Sequence, residues 1–186
     1  MSERRASLHE EPIGAVAIAR HYIRDVVYGA NDGLITTFAV VAGVVGGGLS
    51  ARALLIIGAA NLFADGLSMG VGNYLSIRSH ESALAAQDRP EEEASPVRHG
   101  VATLVSFVAA GAVPLVPFAL GAAAGTGVVW SIALTFTMLF TVGALRGLVT
   151  VERWWVGGIE MLLLGVAVAI AAYGSGLAAS RLIAAP

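Results

Sequence analysis

Asp32 and Asp65 each interrupt an apolar run long enough to cross a membrane. They lie in the stretch Asp25–Ser76, where two such runs are joined by a Gly/Ser turn at Gly46–Ser50. Asp32 stands near the start of the first run and Asp65 in the middle of the second. A charge at that depth costs at least about 2.5–3.5 kcal/mol on insertion scales. Such a residue faces a cavity, a partner or an ion. The chain must therefore fold so that helices shield these two groups from lipid.

Composition supports the membrane reading. The chain is 56% hydrophobic and 13% charged, with mean hydropathy +0.77. A soluble domain carries roughly 25% charged residues. The absence of cysteine excludes disulfides, thiolate metal sites and thiol catalysis. All eleven basic residues are arginine and the formal net charge is −2, so bulk charge argues for no nucleic-acid partner. Arg4, Arg5, Glu10, Glu11, Arg20, Arg24 and Asp25 interrupt the first segment too often for a secretory signal. A small chain with no transit segment in its sequence is expected in the cytoplasmic membrane of a prokaryote.

The pattern predicts an all-α integral membrane protein with five transmembrane helices. Residues 1–12 read as a polar, disordered tail, and residues 13–24 as an amphipathic helix at the interface. The spans fall at about 26–49, 53–77, 101–123, 128–149 and 155–177 within a transmembrane domain of 25–186. Each suffices, because about 20 residues cross the hydrocarbon core. Pro114 and Pro117 predict a kink in the third span. Trp130, Trp154 and Trp155 sit at span ends, where interfacial aromatics belong. With the N-terminus inside, Arg4, Arg5, Arg20, Arg24, Arg78, Arg89, Arg98, Arg146 and Arg153 are cytoplasmic, against Arg52 and Arg181 outside. This positive-inside bias puts the N-terminus in the cytoplasm and the C-terminus outside.

Helical spacing sorts the polar residues into stripes. His21, Asp25 and Asp32, four and seven apart and joined by Tyr28, descend one face of the first helix. Asn61, Asp65, Met69 and Asn73 repeat every four residues on the second. Two such stripes on antiparallel helices line one path. Oxygen, imidazole and thioether ligands suit a borderline divalent ion such as Fe²⁺ better than Mg²⁺. Plainer readings exist for each residue. His21 reads equally as an interfacial histidine and Met69 as packing. Asp65 reads as a structural hydrogen-bonding group, and Asp32, between Asn31 and Gly33, as a cap at a helix break. Glu160 reads as a proton carrier, an arginine partner such as to Arg153, or an interfacial residue. Glu91, Glu92 and Glu93 read as a solvated charge run.

The segments VVYGANDGLITTFAVVAGVVGG and ANLFADGLSMGVGNYLS resemble the two signature segments of the vacuolar iron transporter family. About fifty residues carry the close resemblance, and GGIEMLLLGVAVAIAAYGSG is more loosely similar to the family's last helix. The resemblance implies a homodimer with its ion path at the two-fold interface. It implies export of Fe²⁺, often also Mn²⁺, from the cytosol in exchange for protons, with the metal as cargo and no resident cofactor. It implies that Asp32 and Met69 contact the ion and that Asp25 stands nearer the cytoplasmic opening. Asn73 departs from the family's usual glutamate. The loop 78–97 departs too, being far shorter than the glutamate-rich helical domain that many members carry there. The shortened loop is expected to contribute little to metal capture. Two other classes stay open: a non-transporting scaffold or subunit, and an intramembrane aspartyl protease. The latter needs a pair of aspartates sharing a proton.

Overall fold

The computed structural model describes residues 7–149 and 153–184. Its helices are α1 (Ala15–Gly46), α2 (Ala51–Ala85), α3 (Pro96–Gly111), α4 (Val116–Ala119), α5 (Ala124–Val149) and α6 (Trp154–Ala184). A 3₁₀ turn, Val113–Leu115, links α3 to α4. Five helical segments are long and apolar enough to span a membrane, with α3, the turn and α4 counting as one.

The α1–α2 hairpin is closed by its own sequence. Gly48, with φ of 70°, occupies the left-handed position that ends α1. Leu49 N–H then reaches Val44 C=O and Gly48 N–H reaches Val45 C=O, both at 3.0 Å, so the last carbonyls of α1 are satisfied. Ser50 at once caps α2, its hydroxyl accepting from Ala53 N–H at 3.2 Å.

Two prolines set the break in the third span. Neither Pro114 nor Pro117 can donate a helical hydrogen bond, and the chain tightens into a 3₁₀ turn at Pro114 before α4 restarts with Pro117 in its first turn. The Ser131 hydroxyl of α5 donates to the Pro114 carbonyl at 2.8 Å. Ser131 and Thr135 are fully buried, and Thr135 donates back to the Ser131 carbonyl at 2.6 Å. These two hydroxyls and the carbonyl freed at the proline break are thus paired, as lipid requires.

Helix α1 is the central element, packed against α3, α6, α5 and α2. Phe38, Val41, Val44, Leu54, Leu62 and Phe107 form the core around it. Large apolar residues such as Ile56, Phe63, Leu67 and Leu163 remain exposed, which suits a lipid-facing surface.

Three sequence expectations change. Residues 13–24 are not a separate helix: α1 runs unbroken from Ala15 for 32 residues, because nothing between Ala15 and Val26 stops it. Residues 1–6 lie outside the described residues, but 7–12 are not a detached tail. Leu8 N–H donates to Glu91 C=O at 2.7 Å, and Arg98 Nη1 donates to Glu11 Oε2 at 2.7 Å. The loop is also shorter than 78–97. Helix α2 continues through 35 residues, about 50 Å at 1.5 Å per residue, well beyond an apolar core of about 30 Å.

Candidate functional site

The site exists because three helices approach closely at glycines. On α1, a Cβ at Gly29 would collide with the Thr103 carbonyl and the Ser106 hydroxyl of α3. Between α2 and α3, a Cβ at Gly100 would come within 2.6 Å of the Gly70 carbonyl oxygen. Gly29 follows Asp25 by one turn, Gly70 precedes Asn73 by nearly one, and Gly100 adjoins His99. Missing side chains at these positions let Asp25, Asn73 and His99 meet.

Asp25 is only 2% exposed. Its Oδ1 accepts from Asn73 Nδ2 at 2.8 Å, and its Oδ2 lies 2.5 Å from His99 Nδ1. Asn73 Nδ2 also donates to Thr103 Oγ1 at 2.8 Å. Arg24, largely exposed, reaches the same carboxylate only at 3.5 Å. A buried ionised group is tolerated when it is paired and hydrogen-bonded, and Asp25 meets both conditions.

His99 connects this network to the loop. Its Nε2 lies 2.9 Å from Glu93 Oε2 but without the alignment of a hydrogen bond. Glu93 Oε1 accepts from Ser95 N–H at 2.8 Å. His9 Nδ1 lies 3.3 Å from Oε1, and His21 Nε2 lies 3.3 Å from Oε2. Burial pushes the Glu93 carboxyl upward, but the Ser95 amide and the imidazoles of His99 and His9 outweigh it. The net position is below the ordinary glutamate value, so Glu93 stays ionised.

These groups open onto a cavity of about 840 Å³ lined by His21, Asp25, Asn73, His80, Glu93 and His99, among others. The fourth histidine, His9, stacks edge-on to His21 with ring centroids 5.8 Å apart. All four histidines of the chain therefore gather at one end of the bundle.

Deeper in the bundle lies a second carboxylate pair. Asp32 is seven residues beyond Asp25 on α1, roughly 10 Å further along the axis. Its carboxylate is close enough to that of Asp65 for the two charges to interact. Asp65 Oδ2 accepts from Asn61 Nδ2 at 2.7 Å, one turn earlier on α2. Asp32 does not cap a helix break, since α1 passes through it and its carbonyl accepts from the Thr36 hydroxyl.

Of the residues the sequence singles out, His21, Asp25 and Asn73 meet at the cavity, while Asp32 and Asp65 form the deeper pair. Met69 is half-buried and packs against the Phe107 and Leu62 cluster. Periodicity misses His9, Glu93, His99 and Thr103. His99 falls between the loop and the third apolar run, and its partner Asp25 is 74 residues away. A histidine beside a glycine at a helix start is the one signal available. Glu160 pairs with Arg146 Nη2 at 2.6 Å rather than with Arg153.

Helices of membrane length around an internal series of polar groups define an all-α integral membrane protein. The chain matches the VIT family over residues 23–94 and 83–177, and it belongs to that family. A relative named vacuolar iron transporter, from Toxoplasma gondii, is 44% identical over 71 residues, covering 38% of this chain and 24% of the relative. One of the same name from Plasmodium falciparum is 37% identical over 70 residues, 38% of this chain and 26% of the relative. The chain thus spans only about a quarter of the length of these relatives. Vacuolar iron transporter 1 of Eucalyptus grandis is 24% identical over an aligned length of 213, covering 84% of this chain and 86% of the relative.

Proposed function

We propose that this chain transports a divalent transition metal, Fe²⁺ and by the same ligand chemistry Mn²⁺, out of the cytosol in exchange for protons. The observation that carries the reading is a descending series of carboxylates. Glu93 and Asp25 stand at the cavity, and Asp32 and Asp65 stand within the spans. A cation moving along this series meets oxygen and imidazole ligands at the cavity and then carboxylate oxygens within the spans, a set that suits a borderline ion. Metal binds the deprotonated forms of such ligands, so its passage is linked to proton movement. Arginines concentrate on the cavity side, which supports a cytosolic mouth. The printed names of the relatives, vacuolar iron transporter, support iron as cargo.

The working unit in this reading is a homodimer in the bilayer. Asp32, Asp65 and Met69 are each half-buried in a single chain, so a second copy across a two-fold axis would complete the coordination shell. Fe²⁺ flux into proteoliposomes under anaerobic conditions tests the proposal. The unmodified protein should transport, and Asp32→Asn should abolish flux while keeping the protein folded. Wild-type flux in Asp32→Asn would contradict it. The scaffold and protease readings both expect no flux from the unmodified protein.

A further inference from the structure

We propose that His9, His21 and Glu93 together bind one borderline divalent metal ion at the cavity end of the bundle, in a site that shares His21 and Glu93 with the cavity lining and is closed by the segment before α1. One ligand atom from each of the three lies within 4.8 Å of the others. They come from three distant parts of the chain: the segment before α1, the first turns of α1, and the loop before α3. The His9 side chain is 6% exposed, that of Glu93 16% and that of His21 22%, so this is an enclosed site rather than a surface cluster.

The chemistry at Glu93 calls for a cation. The Nε2 atoms of His21 and His99 are buried, and neither has a hydrogen-bond partner among the described residues. Both point toward the same carboxylate oxygen, at 3.3 and 2.9 Å. An imidazole turned that way meets the carboxylate either as an N–H donor or through a cation shared between them, and contacts without hydrogen-bond geometry fit the shared cation. Asp25 holds His99 Nδ1 from behind, which fixes the ring so that Nε2 faces Glu93. Glu11 Oε1 stands 3.8 Å from His9 Nε2, on the far side of the His9 ring from Glu93.

The spacing fits as well. Ligands about 2.0–2.1 Å from a tetrahedral metal stand roughly 3.3 Å from one another. His9 Nδ1 lies 3.3 Å from Glu93 Oε1 and His21 Nε2 lies 3.3 Å from Oε2, and with one atom from each residue within 4.8 Å of the others, a small closure around the ion completes the set. Two imidazoles and one carboxylate leave coordination positions open to water, and they select borderline ions over Ca²⁺ or Mg²⁺. The segment carrying His9 is already tied down by the Leu8–Glu91 and Glu11–Arg98 contacts, so the site is assembled before the ion arrives.

The test is Co²⁺ binding to the full chain in detergent, read by visible d–d absorption, with Mg²⁺ as a competitor. The expected result is saturable binding insensitive to excess Mg²⁺. Affinity should fall at least tenfold in His9→Ala and in the bulk-conserving His9→Gln, and should stay near that of the unmodified protein in Glu160→Gln, whose carboxylate is already paired with Arg146. His9 lies outside the helices, and an unchanged thermal transition without metal checks that the bundle remains folded. Absence of saturable binding, unchanged affinity in both His9 variants, or an equal loss in Glu160→Gln would each overturn the proposal. Flux is not read here, so the site and the transport reading fail independently.

Discussion

Two carboxylates sit at the same end of the bundle and are held in opposite ways. Glu160 on α6 is 56% exposed and pairs with Arg146 Nη2 at 2.6 Å. Asp25 on α1 is 2% exposed, and its nearest partners are the Asn73 amide and the His99 imidazole. A guanidinium is always charged, so the Glu160 pair is already neutral and has little use for another cation. An amide supplies no charge, and an imidazole gains or loses one proton near neutral pH. Apart from the largely exposed Arg24 at 3.5 Å, Asp25 therefore has no permanently charged partner among the described residues. The difference teaches that an acid in a helix is read by its partners as well as by its burial: an exposed one closed by a guanidinium is a finished ion pair, and a buried one held by an amide and an imidazole is not.

The comparison breaks most completely if the helices around Asp25 are pushed apart. Gly100→Leu places a side chain against the Gly70 carbonyl, only 2.6 Å from where its Cβ would stand. Overpacking of this kind costs about 1–3 kcal/mol. It should separate Asn73 from His99, lower the thermal transition in detergent and reduce Fe²⁺ flux at least tenfold. Normal flux would mean that the α2–α3 approach does not build the site.

Stability should separate the two carboxylates next. Asn73→Leu strips a donor from the buried Asp25 and from Thr103, and an unsatisfied buried group costs about 1–3 kcal/mol, more when charged. Arg146→Gln breaks a half-exposed pair, for which about 0–1 kcal/mol is the expected loss. Thermal unfolding of the two variants side by side checks the order. Equal losses would erase the distinction.

Much of the fold is legible in the sequence because apolar run length and proline placement are local properties. The break at Pro114 and Pro117 and the turn before Ser50 follow directly. The continuation of α2 through Arg78–Ala85 does not, because it is polar and its helicity carries no hydropathy signal. The site is legible only along single helices. His21 and Asp25 share a stripe, but the partnership of Asp25 with His99 depends on the glycine contacts that join α1 to α3. Glu91, Glu92 and Glu93 are alike as letters. The turn that brings Ser95 N–H to Glu93 is what singles that residue out, leaving Glu92 exposed beside Arg89.

A smaller effect belongs to Met69. Met69→Leu keeps the packing against the core cluster, with a stability change under about 1.5 kcal/mol. It removes the sulfur, so the apparent KM for Fe²⁺ should rise several-fold without loss of folded protein. An unchanged KM would leave Met69 a packing residue.

The smallest effect separates the loop glutamates. Glu91→Gln with Glu92→Gln should change the apparent KM for Fe²⁺ by less than about threefold, roughly 0.7 kcal/mol. Their charges lie near Arg89 and in solvent, screened within about 8 Å at physiological salt. Glu93→Gln, alone among the three, should reduce Co²⁺ binding. A larger KM effect from the pair than from Glu93→Gln would make the whole run a metal collector.

The most direct test of the account is Fe²⁺ flux measured in one proteoliposome preparation series for Asp25→Asn and Glu160→Gln. Both substitutions remove one negative charge at the same end of the bundle and conserve shape. The account predicts at least a tenfold loss of flux in Asp25→Asn and less than a twofold change in Glu160→Gln. Transport that survives in Asp25→Asn but fails in Glu160→Gln would contradict it and move the path to the α5–α6 side.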